Sequence, residues 1–240
     1  AARFIRKLSN HRITVISAET DFFFSRTALM YIYMGHQRYE DTKPYEDWFW
    51  SKNSIELVRG FVKSIDPQKK KLTFDPRSFE QSVHGEPPAS LFFDKLILAT
   101  GSRPNKFGWP GQDLEGVRGL YSYPDLQYME RFSSSLSRAV IVGGGLIGIE
   151  MAEKSSMVSR HILEHGIDLR LGAELKKIEG SADGKAAAVV TNNGERIPCG
   201  YVGLTAGVHP NIDLVKETEI ESEKGILVNS FLQTSHPDIY

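Results

Sequence analysis

The stretch "RAVIVGGGLIGIEMAE", residues 138–153, decides how the rest of the chain is read. A short apolar run, 139–142, meets a glycine cluster and then a helical pattern. Gly143, Gly145 and Gly148 stand at G-x-G-x-x-G spacing. In the nucleotide reading, the first glycine makes the tight turn out of a strand. The second lets backbone approach a pyrophosphate, and the third lets helix and strand pack closely. The N–H groups of the helix then face the negative charge. The same glycines also suit a purely structural turn. The legible strand before them and helix after them favour the nucleotide.

The motif lies past the middle of the chain, where a lone nucleotide-binding domain would carry it near its start. It also lacks its usual sequel. A residue that reads the ribose belongs ~20 positions on, at the end of a second strand. By count this is Glu164, in "SRHILEHGI", which reads as a helix end. A first βαβ unit needs ~30 residues, and only helix then strand is visible. The spacing therefore predicts that a segment containing the second strand is missing near 154–156.

Around this motif the chain reads as alternating strands and helices, an α/β pattern. "AARFIRKLSN" (1–10) sets Ala1, Ala2, Ile5 and Leu8 on one helical face, and "RITVISAE" (12–19) reads as a strand followed by a carboxylate. A short helix over 25–35 stops at Gly35. The aromatic cluster "YEDWFW" (45–50) reads as partial core or an interaction lip. Strands follow in 55–66 and 70–74. "FFDKLILATGSRP" (92–104) reads as a strand covered on both faces. Further on, a helix is expected over 124–136, a buried strand over 139–142 and another in "IDLRL" (167–171). Asn193-Gly194 marks a hairpin turn within 186–198. A strand reaches "TAG" (205–207), a short helix is read over 212–218, and "GILVN" (225–229) closes with a strand. The strand running to "ATG" at 99–101 is thus echoed by the strand running to "TAG".

Composition narrows the function. The 240 residues carry a formal net charge of -1, so no basic footprint points to nucleic acid or an anionic membrane surface. The runs Lys69–Lys71 and Lys176-Lys177 read as solvated faces. One cysteine, Cys199, excludes an intrachain disulfide, a CxxC pair and a four-cysteine cluster, and no metal site is read. No run of ~18 apolar residues is present, and the expected compartment is the cytoplasm.

Six segments in order carry a resemblance: "ITVISAE" (13–19), "FSRTALMYIYMG" (24–35), "LILATGSRP" (96–104), "VIVGGGLIGIEMAE" (140–153), "LTAGVHPN" (204–211) and "GILVNSFLQTSHPDIY" (225–240). The chain resembles the FAD-dependent pyridine-nucleotide-disulfide oxidoreductase superfamily. The resemblance is to the branch of ferredoxin reductases, NADH oxidases and FAD-containing NADH dehydrogenases. It implies two Rossmann-like domains in a three-layer β/β/α arrangement, an NAD(P) domain being inserted into an FAD domain. On this reading residues 1–115 begin the FAD domain, 116–226 form the insert, and 227–240 return to the FAD domain. A first glycine motif is then expected before Ala1 and an Ala-x-Gly-Asp segment after Tyr240, so both FAD segments are read as incomplete.

Position by position, the resemblance implies that Glu19 accepts from the adenosine ribose of FAD; otherwise it is a solvated strand-end acid. Arg26 would stand beside the FAD phosphates or isoalloxazine, as suits a guanidinium. Val62 would pack on adenine, or is a core valine. Thr100, Gly101 and Arg103 would form the loop passing close to FAD. Gly143, Gly145, Ile147 and Gly148 would surround the pyrophosphate and ribose of NAD(P). Glu150 would point to the nicotinamide, or lies on a helix surface, and Gly207 would sit against the nicotinamide nucleotide. His209 reads as a solvent-facing variant and Pro210 as a stiffener. The redox cysteines of the disulfide reductases align at Thr27, which disfavours thiol chemistry and a CoA-disulfide reductase-like activity. Cys199 reads as a buried structural thiol.

The implied reaction takes hydride from NAD(P)H to FAD and sends electrons to a second acceptor: a ferredoxin-like protein, a quinone or oxygen. A homodimer is compatible with it. A second class of function, an NAD(H)-binding redox sensor or interaction protein without turnover, fits the same glycine motif. The choice between NAD and NADP lies in the segment read as missing.

Overall fold

The computed structural model describes residues 1–76, 82–133, 138–143, 168–170 and 172–240. In chain order its first half holds α1 (Ala2–Leu8), β1 (Ile13–Ser17), α2 (Leu29–Tyr33), α3 (Trp48–Lys52), β2 (Ile55–Arg59), β3 (Val62–Asp66), β4 (Lys71–Phe74), β5 (Ser90–Phe92) and β6 (Ser102–Pro104). The second half holds β7 (Val117–Arg118), α4 (Tyr123–Ser133), β8 (Ala139–Val142), β9 (Leu175–Gly180), β10 (Ala186–Thr191), β11 (Arg196–Pro198), β12 (Tyr201–Leu204) and β13 (Val208–Pro210). The chain divides into two units. One comprises Ala1–Ser25, Tyr39–Ser102 and Pro210–Tyr240; the other comprises Arg26–Arg38 and Arg103–His209.

In the first unit β1 and β2 pair in parallel, Ile13 opposite Ile55 and Ser17 opposite Arg59. β3, β4 and β5 form an antiparallel sheet. Its buried face meets Val215, Ile220 and Ile239, with Ile65 and Leu72 completing the cluster. Each such side chain, fully buried, contributes about 1.5–3 kcal/mol. The C-terminal segment is tied in by main chain: the Leu96 and Leu98 N–H groups donate to the carbonyls of Asp238 and Tyr240 at 2.9 and 2.6 Å. Asp238 also receives Lys70 and Lys95, each at 2.5 Å. These two ammonium groups, Lys70 foremost, hold its carboxyl down at about 2.

In the second unit β7, β12 and β8 form a parallel sheet with β12 in the middle. β9, β10 and β11 form an antiparallel meander. A core of Val117, Ile178, Val189, Cys199, Val202 and Leu204 joins the two sheets. The Asn193-Gly194 turn is as expected, with Gly194 at φ +84° and Val190 opposite Arg196. α4 starts one residue before Pro124 and is capped from both sides. The Asp125 carboxylate accepts from the N–H groups of Tyr121 and Ser122, while the Ser122 hydroxyl accepts from the Asp125 N–H. The expected end of that helix, at 136, lies outside the described residues.

Several local expectations fail for identifiable reasons. Residues 93–99 are not covered on both faces: burial alternates from Lys95 to Ala99 and Ile97 is 50% exposed. This is the period of a one-sided strand, here bridged in parallel to Ile239. Residues 212–218 form successive four-residue turns rather than a helix, with Val215 N–H donating to the Ile212 carbonyl and Thr218 N–H to the Val215 carbonyl. The Thr218 hydroxyl takes the Val215 carbonyl at 2.8 Å, a local competitor to helical bonding. In "GILVN" only Ile226 makes a bridge, to Ser222. Residues 168–170 are not strand.

Candidate functional site

Parallel strands β8 and β12 run side by side to Val142 and Leu204. Beyond their carboxyl ends come Gly143 and Thr205, at the place where open α/β sheets take their ligands. Gly143 has φ +119°, and a Cβ there would stand 2.7 Å from the carbonyl carbon and oxygen of Thr205. Only glycine meets both demands. Thr205 closes the turn by donating its N–H to the Val142 carbonyl at 2.8 Å and its hydroxyl to Val142 and Gly143 at 3.1 and 3.2 Å. Gly145, Ile147, Gly148, Glu150 and Glu164 lie outside the described residues, as does the 154–156 segment read as a break.

From Thr205 the chain enters Ala206 and Gly207, the latter at φ +80°. Here a residue missed at the sequence level takes hold. Asn105 donates its main-chain N–H to the Gly207 carbonyl and its Nδ2 to the Ala206 carbonyl, both at 3.0 Å. Its Oδ1 lies 2.9 Å from Nδ1 of His209. His209 is exposed, as expected, but partnered rather than free.

The first unit repeats the device with the roles exchanged. Asn211 donates its N–H to the Gly101 carbonyl at 2.9 Å and its Nδ2 to the Thr100 carbonyl at 3.3 Å. The Thr100 hydroxyl returns a bond to the Asn211 carbonyl at 2.7 Å. Gly101 has φ +67°. Both segments read Gly-x-x-Pro-Asn, at 101–105 and 207–211, and each asparagine holds the glycine of the other segment. That repeated Pro-Asn is the signal that could have found both residues.

Glu19 follows the carboxyl end of β1 within two residues, its N–H donating to the Ser17 hydroxyl at 3.2 Å. Val62 opens β3, half-buried against the core of the first unit. In the second unit Arg26 donates to the Tyr121 carbonyl at 2.5 Å, with its guanidinium 4.8 Å from that ring's centroid. Arg103 is exposed on β6. Cys199 is buried, and burial pushes its thiol above the ordinary range. Among the described residues no group of His, Cys, Asp and Glu is arranged to hold a metal ion. None of their helices is long and apolar enough to cross a membrane.

The residues suit a dinucleotide on two counts. The Gly143 turn presents bare backbone at a sheet's carboxyl edge, where a side chain would have no room. Asn211 Oδ1, beside the Thr100–Gly101 loop, is a buried acceptor without a hydrogen-bond partner among the described residues, a state that a donor would relieve.

Comparison with known proteins adds to this geometry. The model of the pyridine nucleotide-disulphide oxidoreductase family matches residues 1–158 and 152–240. NADH-rubredoxin oxidoreductase of Clostridium acetobutylicum is 31% identical over 243 residues, covering 95% of this chain and 60% of that protein. The assimilatory nitrate reductase electron transfer subunit of Bacillus subtilis is 27% identical over 266 residues, covering 98% of this chain and 33% of its own length. The chain thus spans 60% or less of these relatives. Among solved structures, a ferredoxin reductase from Rhodopseudomonas palustris superposes with a TM-score of 0.82 at 22% identity, covering 99% of this chain and 63% of that one. The crystal structure of the Clostridium acetobutylicum NADH:rubredoxin oxidoreductase gives a TM-score of 0.65 at 27% identity, covering 95% and 60%. The fold is α/β of the Rossmann type found in these oxidoreductases.

Proposed function

This chain belongs to the pyridine nucleotide-disulphide oxidoreductase family, and on that premise we propose that its protein is an FAD-dependent NAD(P)H oxidoreductase. Hydride passes from NADH or NADPH to flavin, and electrons pass on to a second acceptor. A small ferredoxin- or rubredoxin-like protein is the first candidate for that acceptor, with a quinone or oxygen as the others. The observation that carries the reading is the Gly143 turn, pressed against Thr205 at the carboxyl ends of two parallel strands.

FAD, when bound, supplies the two-electron acceptor that no side chain of this chain provides. The protein's own groups bind and orient. Glu19 would hold the adenosine ribose, Val62 the adenine and Arg26 the phosphates or ring system. Thr100, Gly101 and Arg103 would line the flavin. Gly143, with Gly145, Ile147 and Gly148, would take the pyrophosphate of NAD(P)H, and Glu150 and Gly207 its nicotinamide end. Cys199, buried in the second unit's core, takes no part. We place the protein in the cytoplasm, since nothing in this chain needs an oxidising compartment, and infer a homodimer from the resemblance alone.

The test is anaerobic titration of the FAD-reconstituted full-length protein with NADH and with NADPH. Bleaching of the flavin by either supports the reading. Nucleotide binding without bleaching would overturn it in favour of a sensor without turnover.

A further inference from the structure

We propose that Asn105 is a positioning residue for the nicotinamide-nucleotide part of the site, acting through the backbone at 206–207 and the ring of His209. The proposal rests on the hydride-transfer reading above. One side chain and its own N–H pin three points of a five-residue loop: the Ala206 carbonyl, the Gly207 carbonyl and His209 Nδ1. That loop starts at Thr205, the residue that fills the space beside Gly143. The fit at Gly207 is close, since a Cβ there would approach Asn105 Nδ2 to 3.1 Å. Asn105 therefore lies against the bare face of Gly207, and the conformation of each depends on the other.

The bonding also fixes a proton. A carbonyl oxygen only accepts, so the group facing Ala206 must be the Asn105 amide nitrogen. Oδ1 then faces His209, and His209 must donate from Nδ1. In the neutral ring Nε2 is left as the unprotonated nitrogen, on an exposed side chain of the same loop. Asn211 shares Asn105's place in the Gly-x-x-Pro-Asn pattern, yet its Oδ1 meets no partner among the described residues. The His209 contact is what sets Asn105 apart.

Three measurements on the FAD-reconstituted protein test this: the NADH dissociation constant, the nitrogen-15 NMR signature of His209 in its neutral form, and the melting temperature. In the wild type the His209 proton should reside on Nδ1. Asn105→Ala should weaken NADH binding about tenfold, as expected for hydrogen bonds lost at a ligand-bearing loop, and should release the His209 tautomer. Asn105→Asp keeps the acceptor toward His209 and loses the donor toward Ala206. It should preserve the tautomer while still weakening NADH, and it stands in should the alanine variant fail to fold. A wild-type His209 protonated on Nε2 overturns the proposal. So does NADH affinity unchanged in both variants while the wild type binds. If the wild type binds no NADH, the hydride reading falls and takes this proposal with it. The His209 signature separates that case from the others, because it reads the Asn105 contact without nucleotide.

Discussion

Thr205 occupies the space that a side chain on Gly143 would need, its carbonyl carbon and oxygen each 2.7 Å from the position of the missing Cβ. The relation joins the first residue beyond β8 to the first residue beyond its parallel neighbour β12. It favours glycine at the first position of the motif independently of any ligand. Gly143→Ala must shift the Thr205 backbone and hold alanine at φ +119°. It should cost about 2–4 kcal/mol of stability, read by urea denaturation. Thr205→Val, which keeps the shape and loses the hydroxyl bonds to Val142 and Gly143, should cost only about 1 kcal/mol. Equal costs for the two would mean that the hydroxyl, not the close approach, holds the turn.

Asp238 sets a pH dependence with a definite sign. Its carboxyl titrates at about 2 in the folded chain against an ordinary 3.8, because Lys70 and Lys95 both bind the charged form. A depressed folded-state value means that the stabilisation is full above the ordinary value and is lost as pH falls through about 2. Asp238→Asn should therefore melt below the wild type at neutral pH, and the two curves should converge near pH 2. Amide exchange at Leu98 and Tyr240 should quicken in the variant, since those bonds tie the same segment. A gap between the curves that persists in acid would point away from the ion pairs.

Cys199 should be inert in the native protein. Burial in the core and a raised thiol pKa both keep it from forming thiolate. A chromogenic disulfide reagent, with peptide mapping to assign the label, should leave Cys199 unmodified until the protein is unfolded. Cys199→Ala should leave NADH-dependent flavin reduction within about twofold. A larger loss would reopen thiol chemistry.

Tyr201 offers a gain of stability. Its ring is buried at 3% exposure, and its hydroxyl finds no hydrogen-bond partner among the described residues. Burial pushes that hydroxyl far above the usual range for a phenol. Tyr201→Phe removes the unsatisfied group and keeps the packing against Phe132. It should raise stability by about 0.5–1 kcal/mol in thermal melts. Destabilisation would mean that a water or a neighbour satisfies the hydroxyl in solution.

Legibility of the sequence followed the range of the interactions. The hairpin at Asn193-Gly194 is decided by its own two residues, and α4 by Ser122, Pro124 and Asp125, so both could be read locally. The strand at 139–142 announces itself by an apolar run ending in glycine. Coverage of Ile97 depends on what lies across the sheet, which no window around 92–104 contains. The helix expected at 212–218 loses to the Thr218 hydroxyl and to packing of Val215 and Ile220 in a distant core. For the site, glycines that need positive φ were visible because that requirement is local. Asn105 and Asn211 escaped notice because each acts on residues over a hundred positions away.

The exchanged asparagines carry an architectural consequence. Gly101 and Asn211 are joined by a 2.9 Å main-chain bond, and Asn105 and Gly207 by one of 3.0 Å. The stretch between them therefore enters and leaves through a doorway one hydrogen bond wide. A two-residue hairpin turn spans such a gap. Two backbone bonds, side by side, thus bring four residues from opposite ends of a hundred-residue stretch to one place.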